Sequence, residues 1–143
     1  MIMTNPDPSH AATLAGFSRP QILICDDDPV FSSELIEALH VRGFAATALL
    51  TMSAVRAAIL SPSIIILDLC MPGMDGIEVM KMLGTHPRRD YFEIVLVSGE
   101  SEEMLEVAKR WSEVCGVQLL GKFRKPVMIR PLCDLLETTG LFF

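Results

Sequence analysis

Short runs of aliphatic residues constrain the fold of this 143-residue chain more than any other feature. Three of them lie in QILIC at 21–25, SIIIL at 63–67 and EIVLV at 93–97. A strand with one face in water alternates polar and apolar residues, whereas a strand covered by helices on both faces is apolar throughout. The runs therefore predict a parallel sheet between two layers of helices.

Segments with a helical spacing of apolar residues separate these runs. The predicted strands are 21–25, 44–48, 64–67, 93–97 and 117–120, and the predicted helices are 29–42, 53–60, 76–83, 102–114 and 129–138. Asp28 is placed to cap the first helix, with Pro29 at its first position and Gly43 after its end. Five successive strand–helix units predict a doubly wound α/β domain.

Composition limits the class of protein. A chain of 143 residues that is 50% hydrophobic can bury one core, so we expect a single domain at 21–143. Residues 1–20 contain Pro, Gly and small polar residues without periodicity, which predicts a flexible leader. The net charge of -6 and the lack of a Lys/Arg cluster in the sequence argue against nucleic-acid binding.

The sequence indicates neither a signal peptide nor a transmembrane helix, because its apolar stretches are short and no basic region precedes one near the start. We therefore expect a cytoplasmic protein. Its four cysteines, Cys25, Cys70, Cys115 and Cys133, are too widely spaced for a C-x-x-C zinc or redox site. They are predicted to be reduced and mostly buried.

Polar side chains follow four of the predicted strands. Asp26 and Asp27 follow the first strand, Asp68 the third, Ser98 the fourth and Lys125 the fifth. The carboxyl ends of parallel strands meet at one edge of a sheet, so these side chains are expected to converge. Clustered carboxylates repel one another and recruit a cation, and oxygen ligands suit Mg²⁺ better than zinc. The pattern predicts a Mg²⁺ site that can bind a phosphoryl group, with the Ser and Lys as donors.

Each of these residues also has a simpler interpretation. Asp28 is more readily explained as a helix cap than as a metal ligand, and the acidic pair before it could act likewise. Ser98 before a glycine is typical of a turn, and a lone Lys125 would usually be a solvated surface residue. These local explanations do not account for the order of the acidic pair, Asp68, Ser98 and Lys125 along the chain.

The most specific motif in the sequence is LDLCMPGMDG at 67–76. Together with the acidic pair, Ser98 and the Lys125–Pro126 dipeptide, it resembles the receiver domain of bacterial two-component response regulators. The resemblance covers about residues 21–136. It implies the flavodoxin-like (βα)5 fold, with a central five-stranded parallel sheet in the order 2-1-3-4-5, and a cis peptide bond before the proline.

The resemblance also implies a phosphorylation site and its partners. Its residues would be Asp68 as the phosphoacceptor, Asp26, Asp27, Asp68 and the main-chain carbonyl of Cys70 as ligands of Mg²⁺, and Ser98 and Lys125 as donors to the phosphoryl oxygens. The phosphodonor would be a sensor histidine kinase or a histidine phosphotransfer protein. The surface of the fourth helix, fifth strand and fifth helix would then shift to favour a downstream protein, without catalysis on any separate substrate.

The sequence departs from the family at several positions. Lys122 stands where many receivers have a Tyr or Phe that moves inward on phosphorylation, and Phe123 should point to the opposite face of the sheet. Cys70 and Glu100 stand where side chains influence phosphate lifetime, and slow hydrolysis is expected because a thiol positions water poorly. No output domain follows the last predicted helix, which suggests a stand-alone receiver acting as effector, shuttle or phosphate sink.

Two other classes of protein remain open. A degenerate receiver would serve as a phosphate-independent protein-binding scaffold. The intact set of Asp27, Asp68, Ser98 and Lys125 argues against this alternative, whereas Lys122 and the missing output domain keep it open. A phosphatase of the haloacid dehalogenase kind ranks lower, because position 70 is Cys where that class needs a second acid. The apolar tail at 141–143 could mediate a homodimer, although packing against the last helix is the simpler interpretation.

Overall fold

Five strands alternate with five helices in the computed structural model, which describes residues 19–71, 74–99 and 101–139. The strands are β1 (Gln21–Cys25), β2 (Ala46–Ala48), β3 (Ser63–Asp68), β4 (Phe92–Ser98) and β5 (Gln118–Arg124), and the helices are α1 (Pro29–Val41), α2 (Met52–Ala58), α3 (Gly76–Gly84), α4 (Glu102–Cys115) and α5 (Ile129–Leu136). A two-residue antiparallel pairing of Cys70–Met71 with Met74–Asp75 precedes α3. Most of the predicted leader and the apolar tail lie outside the described residues.

The strands form one parallel sheet in the order β2-β1-β3-β4-β5, so the predicted doubly wound, flavodoxin-like fold is confirmed. Every residue of β3 and β4 is buried. In the sheet centre Ile66 lies beside Ile24 of β1 on one side and beside Val95 of β4 on the other. Strands without polar alternation are thus covered on both faces, as their sequences predict.

Two apolar layers hold the helices against the sheet. On one face, α2, α3 and α4 pack around residues such as Val55, Leu83 and Leu105. On the other face, α1 and α5 pack around residues such as Leu35 and Leu132. Successive residues of a strand point to opposite faces, so each central strand contributes to both layers. The Lys122–Phe123 neighbours of β5 likewise face opposite sides of the sheet.

The first helix begins and ends where its sequence predicts. The Asp28 carboxylate accepts hydrogen bonds from the backbone N–H groups of Val30 at 3.0 Å and Phe31 at 3.2 Å. Gly43 follows the helix with a φ of +84°, a left-handed conformation that favours glycine. Asp28 is therefore the N-cap of α1, which confirms the simpler of its two interpretations.

The predicted bounds of β5 are wrong at the carboxyl end, because the strand continues from 120 to Arg124. Its second half, GKFR, lacks an aliphatic run, since β5 is an edge strand and most of its residues are only half-buried. The register shifts near residue 120, and the later residues of β5 continue to pair with β4 as far as Arg124, which pairs with Ser98. This extension brings the end of β5 level with the carboxyl ends of β3 and β4.

Three cysteines are described as free thiols, of which Cys25 and Cys133 are buried and Cys115 is half-buried. The prediction that the thiols are mostly buried is thus confirmed for Cys25 and Cys133. Among the residues that the structure describes, no helix is both long and apolar enough to span a membrane.

Candidate functional site

The carboxyl ends of β1 and β3 bring three aspartates together. Asp26 and Asp27 directly follow β1, and Asp68 is the last residue of β3. One carboxylate oxygen from each of the three lies within 4.8 Å of the other two. Asp26 and Asp68 are buried, whereas Asp27 is exposed. The sheet therefore gathers carboxylates that are more than 40 residues apart in sequence, at the edge where the strand order predicts a site.

Lys125 adds a positive charge to this cluster. Its ammonium Nζ lies 2.6 Å from Asp26 Oδ2 and 3.3 Å from Asp68 Oδ2. The backbone N–H of Lys125 donates to the carbonyl of Ser98 at 2.8 Å, which fixes the end of β5 against the end of β4. The Lys125–Pro126 bond is cis, as the resemblance implies.

Burial and the neighbouring charges shift the pKa values of Asp26 and Lys125. Burial raises the pKa of the Asp26 carboxyl, although the Lys125 ammonium and the Asp28 backbone N–H act in the opposite direction. For Lys125, burial alone would lower the pKa, but hydrogen bonding and attraction to Asp26 and Asp68 raise it above its usual value. Lys125 therefore stays cationic at neutral pH. One ammonium does not balance three carboxylates, so the cluster favours a further cation.

The donor set fits Mg²⁺. Its side-chain ligands are carboxylate oxygens, which this hard cation prefers, and the exposed Asp27 leaves one side open to water ligands that Mg²⁺ usually keeps. Cys70 lies two residues beyond Asp68, in the short pairing that precedes α3. Its side chain is not among the described parts of the chain, and the use of its main-chain carbonyl as a ligand stays a prediction.

Ser98 ends β4 on the strand next to Asp68. It is fully buried, and it follows Val97, the residue paired with Asp68 in the sheet. The register therefore places Ser98 at the edge of the sheet where the carboxylates lie. Glu100, which follows it closely, lies outside the described residues.

One contact at the site has no obvious signal in the sequence. The Lys125 ammonium lies 4.4 Å from the centre of the Phe31 ring, a cation–π contact. Phe31 is in the first turn of α1, three residues after the Asp28 cap, and its ring is half-buried against the α1–α5 layer. Only the packing of α1 beside the end of β5 brings these two residues together.

Lys122 has partners that the sequence analysis missed. Its ammonium lies 2.7 Å from Glu106 and 3.9 Å from Glu102, both on α4. The hydrogen bond between Lys122 and Glu106 lowers the pKa of the Glu106 carboxyl and raises the pKa of the Lys122 ammonium. Phe123 packs into the α1–α5 layer on the other face, as the strand alternation predicts. The sequence signal for these ion pairs was the spacing of Glu102 and Glu106, which lie one helical turn apart.

Comparison with known proteins identifies the family. The sequence profile of the response regulator receiver domain matches residues 22–133. The chain therefore belongs to the receiver domain family of two-component response regulators. Members of this family are signalling domains that bind Mg²⁺ at an acidic pocket and interact with histidine kinases or phosphotransfer proteins.

Individual relatives agree with this assignment. A response regulator from Colwellia psychrerythraea superimposes with a TM-score of 0.70 and 30% identity, covering 85% of this chain and 96% of that chain. The chemotaxis protein CheY4 of Vibrio cholerae shares the fold, with a TM-score of 0.68, 20% identity, and 83% and 97% coverage of this chain and that one. The DNA-binding response regulator MtrA of Mycolicibacterium smegmatis is 40% identical over 70 residues, or 46% of this chain and 29% of that protein. The match thus spans less than a third of MtrA.

Proposed function

We propose that this chain is a phosphorylation-dependent switch, which accepts a phosphoryl group on Asp68 and acts through protein–protein contacts. The observation that carries the proposal is the set of charged groups around Asp68. Two further carboxylates lie within 4.8 Å of it and an ammonium group lies at 3.3 Å. Such a set can hold a divalent cation and offset the charge of phosphoryl oxygens, and phosphoryl transfer depends mainly on positioning and electrostatic stabilisation.

In the proposed reaction, an oxygen of Asp68 attacks the phosphorus of a phosphohistidine on a kinase or phosphotransfer protein. The phosphorus–nitrogen bond breaks, and the leaving imidazole takes up a proton. Lys125 and the Ser98 hydroxyl then donate to the phosphoryl oxygens. Lys125 already lies between Asp26 and Asp68, so it needs only a small shift to reach a group on Asp68.

Asp26, Asp27, Asp68 and the Cys70 carbonyl would hold Mg²⁺ in this site. When bound, the metal offsets negative charge on the phosphoryl group. Asp26 has a second role, because it also keeps Lys125 oriented toward Asp68 through the 2.6 Å ion pair. In this proposal Asp26 serves both the metal and the lysine, whereas Asp27 serves the metal, which gives each of the two consecutive carboxylates after the buried strand a role.

The proposal is tested by incubating the chain with Mg²⁺ and acetyl phosphate and measuring intact mass. We expect one added phosphoryl group on the wild type and none on Asp68→Asn. Asp90→Asn is the matched control, since Asp90 is exposed and lies in the turn before β4. If the wild type gains no phosphoryl group and does not bind beryllofluoride, the phosphate-independent scaffold is the better description.

A further inference from the structure

The edge strand β2 directs one row of its backbone groups away from the sheet. Its neighbours Ala45 and Leu49 both bond to β1, since the Ala45 carbonyl accepts a hydrogen bond at 2.8 Å and the Leu49 N–H donates one at 2.8 Å. Successive residues of a strand turn their N–H and C=O groups to alternate sides, so those of Ala46 and Ala48 point away from β1. Such a row is a template for a further strand.

The imidazole of His40 covers the first of these two outward positions. His40 Nε2 accepts a hydrogen bond from the Ala46 N–H at 3.3 Å and lies 3.2 Å from the Ala46 carbonyl oxygen. Ala48 is exposed, which leaves its outward N–H and C=O available to a partner. The edge is therefore covered near the start of β2 and accessible near its end.

A cavity of about 460 Å³ lies between the end of β2 and α1. Its apolar lining includes Pro29 and Ile36 of α1 together with Ala48 and Leu50. Leu50 is 62% exposed, so apolar surface remains in contact with water there. The cavity has room for a large apolar side chain, whose burial would remove this surface from water.

Arg19 fixes where the preceding residues join the fold. Its guanidinium carbon lies 4.3 Å from the centre of the Phe44 ring, and its Nη2 lies 2.9 Å from Glu137 Oε1. Because Phe44 lies two residues before β2, residues 1–18 reach the fold beside the amino end of β2. Arg19 Nη1 is buried without a hydrogen-bond partner among the described residues. A backbone carbonyl of the residues just before Arg19 would satisfy this donor.

We propose that residues 11–16 bind the edge of β2 as an antiparallel sixth strand, with the Leu14 side chain in the cavity. Leu14 is the only large apolar residue in the sequence between 9 and 16, so the cavity fixes the register. In this register Leu14 lies opposite Ala48 and exchanges backbone hydrogen bonds with it, and Gly16 lies opposite Ala46. Opposite side chains share a face of the sheet, so Leu14 is on the same side as Ala48, which lines the cavity.

The residues that follow can connect this strand to β1. The two strands would lie two strand spacings apart, about 9.6 Å. Residues 17–20 span up to about 13 Å when extended, which is sufficient to pass beneath β2. Gly16 has no side chain, so only its backbone approaches His40 and competes with the imidazole for the Ala46 groups. The contact does not depend on phosphorylation of Asp68.

Amide hydrogen exchange of the full chain, followed by NMR, tests this contact. We expect the Ala48 N–H to exchange about tenfold more slowly in the wild type than in Leu14→Asp or in a chain lacking residues 1–17. The Thr47 N–H faces β1 and should exchange equally in all three, which shows that the sheet is intact. Ile2→Asp is the matched control, because it adds the same charge outside the proposed strand and should keep the wild-type rate.

A second variant tests the competition with His40. Because His40→Ala frees the Ala46 groups for Gly16, we expect it to slow Ala48 exchange about threefold or more in the full chain and to leave it unchanged in the shortened chain. The wild type is also measured at a tenfold lower protein concentration, where Ala48 exchange should not change. Equal Ala48 exchange in wild type and Leu14→Asp would overturn the proposal. So would protection that falls on dilution, since a second copy would then supply the strand, or an equal effect of His40→Ala in both chains.

Discussion

At the scale of single residues, the third aspartate of DDDP differs from the first two. Asp26 and Asp27 join the carboxylate cluster, whereas Asp28 binds the backbone of the first turn of α1. That turn carries Phe31, whose ring lies 4.4 Å from the Lys125 ammonium. The cap therefore has a consequence beyond helix stability, because it holds an aromatic face against the lysine of the site.

We predict that Phe31→Leu slows phosphorylation of Asp68 about two- to fivefold, since a cation–π contact of about 0.5–1 kcal/mol orients the lysine. Phe31→Tyr should retain the wild-type rate. The measurement is the initial rate of phosphorylation by acetyl phosphate. A lysine-selective NMR spectrum should also show that the Lys125 signal loses its ring-current shift in the Leu variant only. Equal rates in wild type and Leu variant, with Asp68 still phosphorylated, would contradict the role of the ring.

A second prediction concerns Cys25. Burial, together with the neighbouring charge of Asp26, raises the pKa of its thiol from 9.0 to about 12. Because a raised pKa keeps the thiol protonated, we expect no alkylation of Cys25 by iodoacetamide at pH 9 in the folded protein. The half-buried Cys115 should react under these conditions, and both should react in denaturant. Peptide mass analysis distinguishes them, and rapid labelling of native Cys25 would show that the strand opens readily.

At the scale of elements, close backbone approach fixes how α3 and α4 pack. A Cβ added to Gly84, at the end of α3, would lie 2.0 Å from the Cys115 carbonyl oxygen at the end of α4. Another close approach occurs at Gly121 of β5, where a Cβ would lie 2.4 Å from the Leu135 side chain of α5. The second obstacle can move because it is the end of a flexible side chain, but the first is backbone.

Gly84→Ala is accordingly predicted to lower the free energy of unfolding by about 1–3 kcal/mol, because the two helices must separate. Gly99→Ala is the control, since a Cβ there meets nothing within 4 Å and Gly99 does not have a positive φ. Urea denaturation of both variants checks the difference. Similar stabilities of the two variants would mean that the α3–α4 approach is easily relaxed.

At the scale of the whole molecule, a bound cation should link the three aspartates at the carboxyl ends of β1 and β3. We predict that Mg²⁺ raises the melting temperature of the wild type, with about 1.4 kcal/mol of added stability at ten times its dissociation constant. Asp27→Asn should remove this dependence on Mg²⁺, whereas Asp90→Asn should keep it. Thermal unfolding with Mg²⁺ and with EDTA provides the measurement. The same stabilisation in all three proteins would place the cation elsewhere.

The sequence by itself determined the central strands, the cap of α1 and the order in which Asp, Ser and Lys follow the strands. These features depend on local patterns: unbroken aliphatic runs, a capping side chain next to a proline, and a polar residue after each run. The edge strand β5 was the element most poorly predicted, because most of its residues are only half-buried and its apolar run is short.

Only the tertiary structure decided which charged groups meet. Lys125 lies closer to Asp26 than to Asp68, and Lys122 binds Glu106 of α4. The exposure of Met104, Val107, Trp111 and Val114 of α4 is likewise visible only once the helix is packed on the sheet. These contacts join residues far apart in sequence, and their distances depend on the stacking of helices on a twisted sheet. Local sequence patterns fix the elements, whereas packing fixes the distances between the side chains they carry.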